Sequence, residues 1–333
     1  MKKIGITGQN GFVGSYLFNK ICLLKEEFEL IPFEKQFFDS DSALASWTGS
    51  CDAIVHLAAM NRHSDPQVIH DTNLDLTGKL IDALEKSGNA PHVIFSSSTQ
   101  EERDNLYGQS KRASRQLIKD WCFSKGVAFT GLIIPNVFGP FGRPFYNSVV
   151  ATFCHQLTHG LDPRIDQDGS LKLIYVDELC EEIIAIIRSE VSEGEYNVNS
   201  TSEKRVSEIL EQLREYKSKY FENGFFPELP DTFSLNLFNT FRSYIDQKSY
   251  FPRKLTTHPD QRGVFVEMVK LEQGGQVPFS TTVPGITRGN HFHTRKIERF
   301  IVIKGKALIQ LRKYNTDEVL NFELDGATPS YVD

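Results

Sequence analysis

The segment Thr7-Gly-Gln-Asn-Gly-Phe-Val-Gly14 joins an apolar run, Lys3–Thr7, to an amphipathic one, Val13–Leu24. A glycine-spaced turn between a buried strand and a helix leaves few folds open. Gly8, Gly11 and Gly14 can supply a tight turn, a close backbone approach to a pyrophosphate, and a close helix–strand contact, with phosphate at the helix N-terminus. A glycine triplet alone is weak, and a structural turn is the bland reading; its place at the end of a strand is what strengthens it.

Further apolar runs follow at Phe28–Phe33, Ala53–Leu57, His92–Ser96 and Phe129–Ile134, with helical patterns at Thr72–Lys86 and Ser110–Phe123. Strands alternating with helices in this way predict an α/β fold, a Rossmann-type doubly wound parallel sheet. From about Tyr250 the pattern changes to short strand-like segments, Phe265–Lys270, Arg299–Lys304 and Ala307–Lys313, separated by turn residues. A smaller all-β domain is expected there. The division is a first domain over 1–245 and a second over 250–333, with the boundary near 243–252.

At 333 residues the chain can bury two cores, and a net charge of −6 offers no electrostatic footprint for nucleic acid or an anionic membrane. Cys22, Cys51, Cys122, Cys154 and Cys180 include no C-x-x-C pair, so buried thiols in a reducing cytoplasm are expected rather than a disulfide framework. No run of 18 apolar residues and no leader-like stretch occurs, which reads as a cytoplasmic protein.

Ser96-Ser-Ser98 ends the fourth expected strand, and Tyr107-Gly-Gln-Ser-Lys111 opens a helix. Positions i and i+4 share a helix face, so Tyr107 and Lys111 can point together into a cleft at the C-terminal edge of the sheet. A phenol titrates near 10 on its own, and a neighbouring ammonium would favour its ionised form and make it a proton shuttle. A serine hydroxyl can hydrogen-bond a carbonyl oxygen on which charge develops. An isolated Tyr/Lys pair is usually surface decoration; the glycine turn and the serine-ended strand shift the balance to chemistry.

Together these residues resemble the extended short-chain dehydrogenase/reductase family. The motifs TGQNGFVG, His56-Leu-Ala-Ala59, Asn73, Ser96–Ser98, YGQSK, Pro135-Asn-Val-Phe-Gly-Pro140 and Tyr175-Val-Asp177 stand in the family's order over residues 1–245. The resemblance implies Ser98, Tyr107 and Lys111 as catalytic residues. It implies cofactor contacts from Gly8, Asn10, Gly11, Phe12, Val13, Gly14, Leu57, Ala58, Ala59 and Asn73, and substrate contacts from Asn136 and Asn147. NADPH is the implied cofactor; Glu34-Lys35 after the second strand leaves NADH open. Two departures stand out. Sugar dehydratases of the family carry Ser-Thr-Asp-Glu where this chain has Ser98-Thr-Gln-Glu101, and an amide cannot release a proton, which favours reduction. An arginine that the family often places three residues before Asn136 is Ile133 here.

The stretch Gly285–Gly305 reads G-x5-H-x-H-x4-E-x6-G, with His291, His293 and Glu298 at ligand-type positions. Two imidazoles at i and i+2 on a strand and one carboxylate suit zinc or another first-row divalent ion, although paired histidines on a strand are more often ordinary polar residues. The spacing resembles the first motif of the cupin family, and Asp260–Glu267 with Gly285–Gly289 resembles its deoxysugar-epimerase branch. A reductase followed by such a domain resembles bifunctional capsule-biosynthesis enzymes. That resemblance implies C-3 epimerisation of a UDP-2-acetamido-2,6-dideoxy-4-hexulose, then C-4 reduction to a UDP-N-acetyl-6-deoxy-talosamine on the way to N-acetyl-fucosamine of capsule or O-antigen, in a homodimer. Only 28 residues follow Gly305, none a histidine. Weak metal binding and poor epimerisation are expected in consequence. The competing expectations are a UDP-sugar 4-epimerase or dehydratase, and a non-catalytic NAD(P)-binding sensor.

Overall fold

A computed structural model of the chain describes residues 1–333 except 191, 272–274, 293–296, 313–315 and 329. Two compact units divide it, Met1–Lys254 with Val269–Gln276, and Leu255–Met268 with Val277–Asp333. Among the described residues no helix is long and apolar enough to cross a membrane.

The first unit is built on a parallel sheet. Its elements run β1 (Lys2–Thr7), α1 (Phe12–Cys22), β2 (Phe28–Ile31), α2 (Asp41–Gly49), β3 (Ala53–His56), α3 (Pro66–Ser87), β4 (His92–Ser98), α4 (Leu106–Lys125) and β5 (Phe129–Ile134). After these come β6 (Asn136–Phe138), α5 (Val149–Thr158), β7 (Ser170–Tyr175), α6 (Val176–Ser189), β8 (Glu193–Asn197), β9 (Ser202–Arg205), α7 (Val206–Tyr216) and α8 (Thr232–Arg242). The sheet order is β2-β1-β3-β4-β5-β8, and β6-β7-β9 form a smaller sheet. The expected doubly wound α/β architecture is the one found.

Both faces of the large sheet are covered because successive strand residues point to opposite sides. Ala53, Val55 and Ile94 join the core beneath α1 and α6, with Leu17, Ile21, Ile183 and Ile187. Their neighbours Ile54, Val93 and Phe95 join the core beneath α2, α3 and α4, with Trp47, Leu80, Leu84 and Ile118. Phe138 and Leu173 anchor a third cluster with α5, α7 and α8.

Two of the boundaries that differ from the sequence pattern have a clear local cause. Helix α3 begins at Pro66, not Thr72, because Asp65 caps it by accepting from the Gln67 amide at 2.9 Å and proline suits the first helical position. The second strand leaves the sheet after Ile31, where its pairing with Gly5 ends, and Phe33 instead packs on Trp47 with ring centroids 4.7 Å apart.

In the second unit Thr257–Asp260 runs antiparallel to the first part of Gly263–Leu271, Lys306–Arg312 to Val319–Asp325, and Phe300–Ile301 to Tyr331–Val332. These strands pair in separate small sheets. Leu324 is the buried apolar side chain among the described residues of this unit, while Phe279, Phe292, Ile301 and Leu320 are exposed.

Candidate active site

Strand β1 lies between β2 and β3, so the chain leaves it in opposite directions and opens a crevice beyond the C-terminal ends of β1 and β3. The register puts Thr7 opposite His56. Thr7 Oγ1 is 2.9 Å from His56 Nδ1 and accepts from the Ala58 amide at 3.2 Å, tying the glycine turn after β1 to the Leu57–Ala59 segment after β3. Burial, with help from the Lys111 charge, brings His56 down to about 3, so it is neutral.

The glycines of the turn are there for space. Gly8 has φ +73°, and a Cβ on it would stand 2.8 Å from the Ala58 nitrogen. A Cβ on Gly14 would stand 2.2 Å from the Gly8 carbonyl oxygen. Gly11 occupies the N-cap of α1 and offers no side-chain cap, so the first amides of the helix face outward as an anion site requires. Asn10, Phe12 and Val13 complete this turn and first helical position. These features fit a pyrophosphate cradle.

Asn73, 4% exposed, reaches from α3 to the chain after β3. Its Oδ1 accepts from the Met60 amide at 2.7 Å, and its Nδ2 donates to Met60 O at 3.1 Å and Ser110 Oγ at 3.0 Å. Three segments, α3, the post-β3 loop and α4, are thereby held together.

The three serines ending β4 differ in what their hydroxyls do. Ser96 donates to His56 O at 3.0 Å, and Ser97 donates to the Glu101 carboxylate. Ser98 Oγ accepts from the Gln100 amide at 3.2 Å and caps the 3-10 turn Thr99–Glu102. That leaves the Ser98 proton available to a carbonyl oxygen. The turn sits on the start of α4, where a Cβ on Gly108 would meet Gln100 O at 2.1 Å. Tyr107, one residue earlier, is thus carried beside the segment that follows Ser98. Lys111, one helical turn on and 5% exposed, donates to Ser96 O at 2.8 Å and lies 5.3 Å from the Phe95 ring centre.

The electrostatics correct one expectation. Burial pushes the Tyr107 phenol up to about 12, with Tyr146 adding to the rise. Lys111 is itself brought down to about 8 by burial, against the pull of Glu101. With the ammonium engaged by Ser96 O, burial wins and Tyr107 is a neutral phenol, the form that gives a proton.

Residues 4–199 match the NAD dependent epimerase/dehydratase family. The chain belongs to this family.

Residues 258–333 match a polysaccharide biosynthesis C-terminal domain. Over 99% of its length the chain is 34% identical to a UDP-2-acetamido-2,6-beta-L-arabino-hexul-4-ose reductase of Pseudomonas aeruginosa, covering 88% of that protein. In structure it is similar to the capsular polysaccharide assembling protein CapF from Staphylococcus aureus, with a TM-score of 0.83, 30% identity, and coverage of 100% of this chain and 89% of that one. The fold also matches RMD from Pseudomonas aeruginosa complexed with NADPH, with a TM-score of 0.63 and 20% identity over 73% of this chain and 99% of the other.

Other residues expected at this family's substrate side are placed as follows. Asn136 donates to Lys172 O at 3.1 Å across the β6–β7 pair, and Asn147 Nδ2 is 3.5 Å from Asn61 O. Arg62, which sequence reasoning did not single out, donates to the carbonyls of Phe145 and, at 2.9 Å, Tyr146. In the second unit His291 Nε2 is 3.7 Å from Glu298 Oε2, so the ends of the expected ligand set stand together. His293 lies outside the described residues. Among the described residues no group of three His, Cys, Asp or Glu side chains is placed to hold a metal.

Proposed function

We propose that the first unit reduces the C-4 ketone of a UDP-2-acetamido-2,6-dideoxy-4-hexulose with NADPH, in polysaccharide biosynthesis. The observation that carries this reading is the placement of Tyr107 at the start of α4, one turn from buried Lys111 and beside the turn that follows Ser98, in a chain 34% identical over 99% of its length to a reductase of that substrate class.

Gly8, Asn10, Gly11, Phe12, Val13 and Gly14 would hold the cofactor pyrophosphate, with Leu57, Ala58, Ala59 and Asn73 lining its other side. When bound, NADPH supplies a hydride to carbon 4. Tyr107 gives its proton to the oxygen that becomes the new hydroxyl and is reprotonated from solvent. Ser98 donates a hydrogen bond to the same oxygen, and Lys111 keeps a positive charge near the phenolate that forms. Asn136 and Asn147 would contact the nucleotide sugar.

Dehydration fits this site less well. Gln100 has no proton to give, and both oxygens of Glu101 are engaged, by Arg115 at 2.9 and 2.7 Å. A redox-neutral 4-epimerase keeps its nicotinamide through turnover, and a sensor would have no use for the Tyr107/Lys111 pair.

In the second unit His291, His293 and Glu298 would supply donors of the kind zinc takes, for a cupin-type C-3 epimerisation preceding reduction. A metal there would polarise the 4-keto oxygen and acidify carbon 3. The homodimer and the capsule or O-antigen destination belong to the same proposal. The test is net NADPH oxidation by the purified chain against UDP-4-keto-6-deoxy-N-acetylhexosamines differing at carbon 3. Turnover with the pre-epimerised sugar supports the reductase; absence of net oxidation with every isomer sinks it. Metal analysis of the same preparation tests the second unit, with substoichiometric zinc expected.

A further inference from the structure

We propose that Glu101 and Arg115 are a positioning pair, which sets where the Tyr107 phenol stands relative to Ser98 and fixes a negative charge beside the Lys111 ammonium. The proposal rests on the reductase reading of those three residues.

Glu101, 7% exposed, sits in the 3-10 turn that directly follows Ser98. Its Oε1 accepts from Arg115 Nε at 2.9 Å and from the Ser97 hydroxyl, and its Oε2 accepts from Arg115 Nη2 at 2.7 Å. The guanidinium's remaining nitrogen, Nη1, donates to Gly194 O at 3.0 Å, and Nη2 lies 3.2 Å from Glu195. One side chain on α4 therefore grips both the turn after β4 and strand β8. Gly131 on β5 makes the crossing possible, since a Cβ there would stand 2.8 Å from Arg115 Cδ and 2.7 Å from Gly194 O.

Tyr107, Lys111 and Arg115 recur every fourth residue, so one face of α4 carries the proton donor, the ammonium and the anchor. The turn is pressed on that helix at two places, Gln100 O against Gly108 and Glu101 against Arg115. Tyr107 follows Ser98 by nine positions (107 − 98), which leaves the connecting segment little slack. Two hydroxyls must reach one substrate oxygen, and a displacement of roughly 1 Å can cost about a hundredfold in rate.

An ion pair this buried is a poor device for stability alone, because desolvation offsets its attraction and apolar partners of similar size would pack as well. It supplies what they cannot, bidentate directional hydrogen bonds and a fixed charge. Lys111 otherwise faces the Ser96 carbonyl and Phe95 ring on β4 and neutral His56 on β3. Glu101 is the carboxylate among the groups found to act on it.

The experiment compares Glu101→Gln, Arg115→Lys and the apolar double variant Glu101→Leu/Arg115→Met with the parent. For the double variant a thermal midpoint at or above the parent's is expected, NADPH affinity within about twofold, and kcat lower by about tenfold to a hundredfold with KM little changed. Glu101→Gln should also move the high-pH limb of kcat/KM to lower pH, and Arg115→Lys should recover part of the rate. A folded double variant with parental kcat overturns the proposal. So does a loss of kcat that only tracks lost NADPH binding and lost stability, which would make the pair merely structural. Backbone hydrogen exchange over residues 99–108 needs no substrate. Exchange about tenfold faster in Glu101→Gln supports the pair even if the parent proves not to be a reductase, and unchanged exchange overturns it.

Discussion

The Lys111 ammonium donates to the carbonyl oxygen of Ser96 at 2.8 Å, within the interface between α4 and the sheet. Burial holds this lysine near 8, and the charged form is the one assigned to the reaction. Below that pH the ammonium is present; as pH rises through it the charge is lost. A one-proton fall in kcat/KM above about pH 8 is expected and should be absent from the residual activity of Lys111→Met.

The same group makes stability depend on pH in the opposite direction. Its unfolded value is the ordinary 10.5, so between about 8 and 10.5 the unfolded chain binds more protons than the folded one. Stability from this residue therefore rises with pH across that window. Urea midpoints measured on both sides of the window should show the parent gaining stability relative to Lys111→Met as pH increases.

Tyr107→Phe removes the proton donor and keeps the ring. A loss of about 10²–10⁴ in kcat is expected. NADPH affinity should stay close to parental, because the cradle lies on β1 and β3. Stopped-flow measurement of NADPH consumption reads the first, and fluorescence titration the second.

Ser96 and Ser98 should separate in their effects. Ser98→Ala lowers kcat with little change in stability. Ser96→Ala loses a buried hydrogen bond to His56 O and costs about 1 kcal/mol in stability, with kcat largely retained. Paired denaturation and turnover measurements decide between the two.

Gly14→Ala places a methyl 2.2 Å from a backbone oxygen that cannot swing away. A cost of roughly 1–3 kcal/mol is expected, with weaker NADPH binding. Gly11→Ala, whose Cβ would be 3.2 Å from the same oxygen, should be milder in both respects. Calorimetric unfolding and cofactor titration of the two variants provide the comparison.

The glycine turn, the sheet, and the positions of Ser98 at a strand end and of Tyr107 and Lys111 along one helix were legible because each depends on local spacing: a turn after a strand, period two, and i to i+4. The upward push of burial on the Tyr107 phenol was not, since it turns on how deeply the helix packs. Arg115 was equally hidden, as an arginine in a helix ordinarily reads as a solvated one. The available signal was its register with Tyr107 and Lys111, together with a glycine, Gly131, in the middle of an otherwise bulky apolar strand. Asp65-Pro66 did announce the start of α3, and the apolar pattern drew attention away from it. In the second unit half of the histidine pair, His293, lies outside the described residues.

The strand order has a consequence for biosynthesis of the chain. β1 is made first yet belongs inside the sheet, and it can gain its second neighbour only when β3, at Ala53–His56, has emerged from the ribosome. β5 likewise waits for β8 at Glu193–Asn197. A nascent chain stopped between these points presents an unpaired parallel edge, the kind of surface that recruits other chains. Arrested-ribosome proteolysis should find residues 1–160 unprotected as a sheet and protection gained in one step once β8 is available. The crevice at the ends of β1 and β3 would then mature only after β8 has been translated.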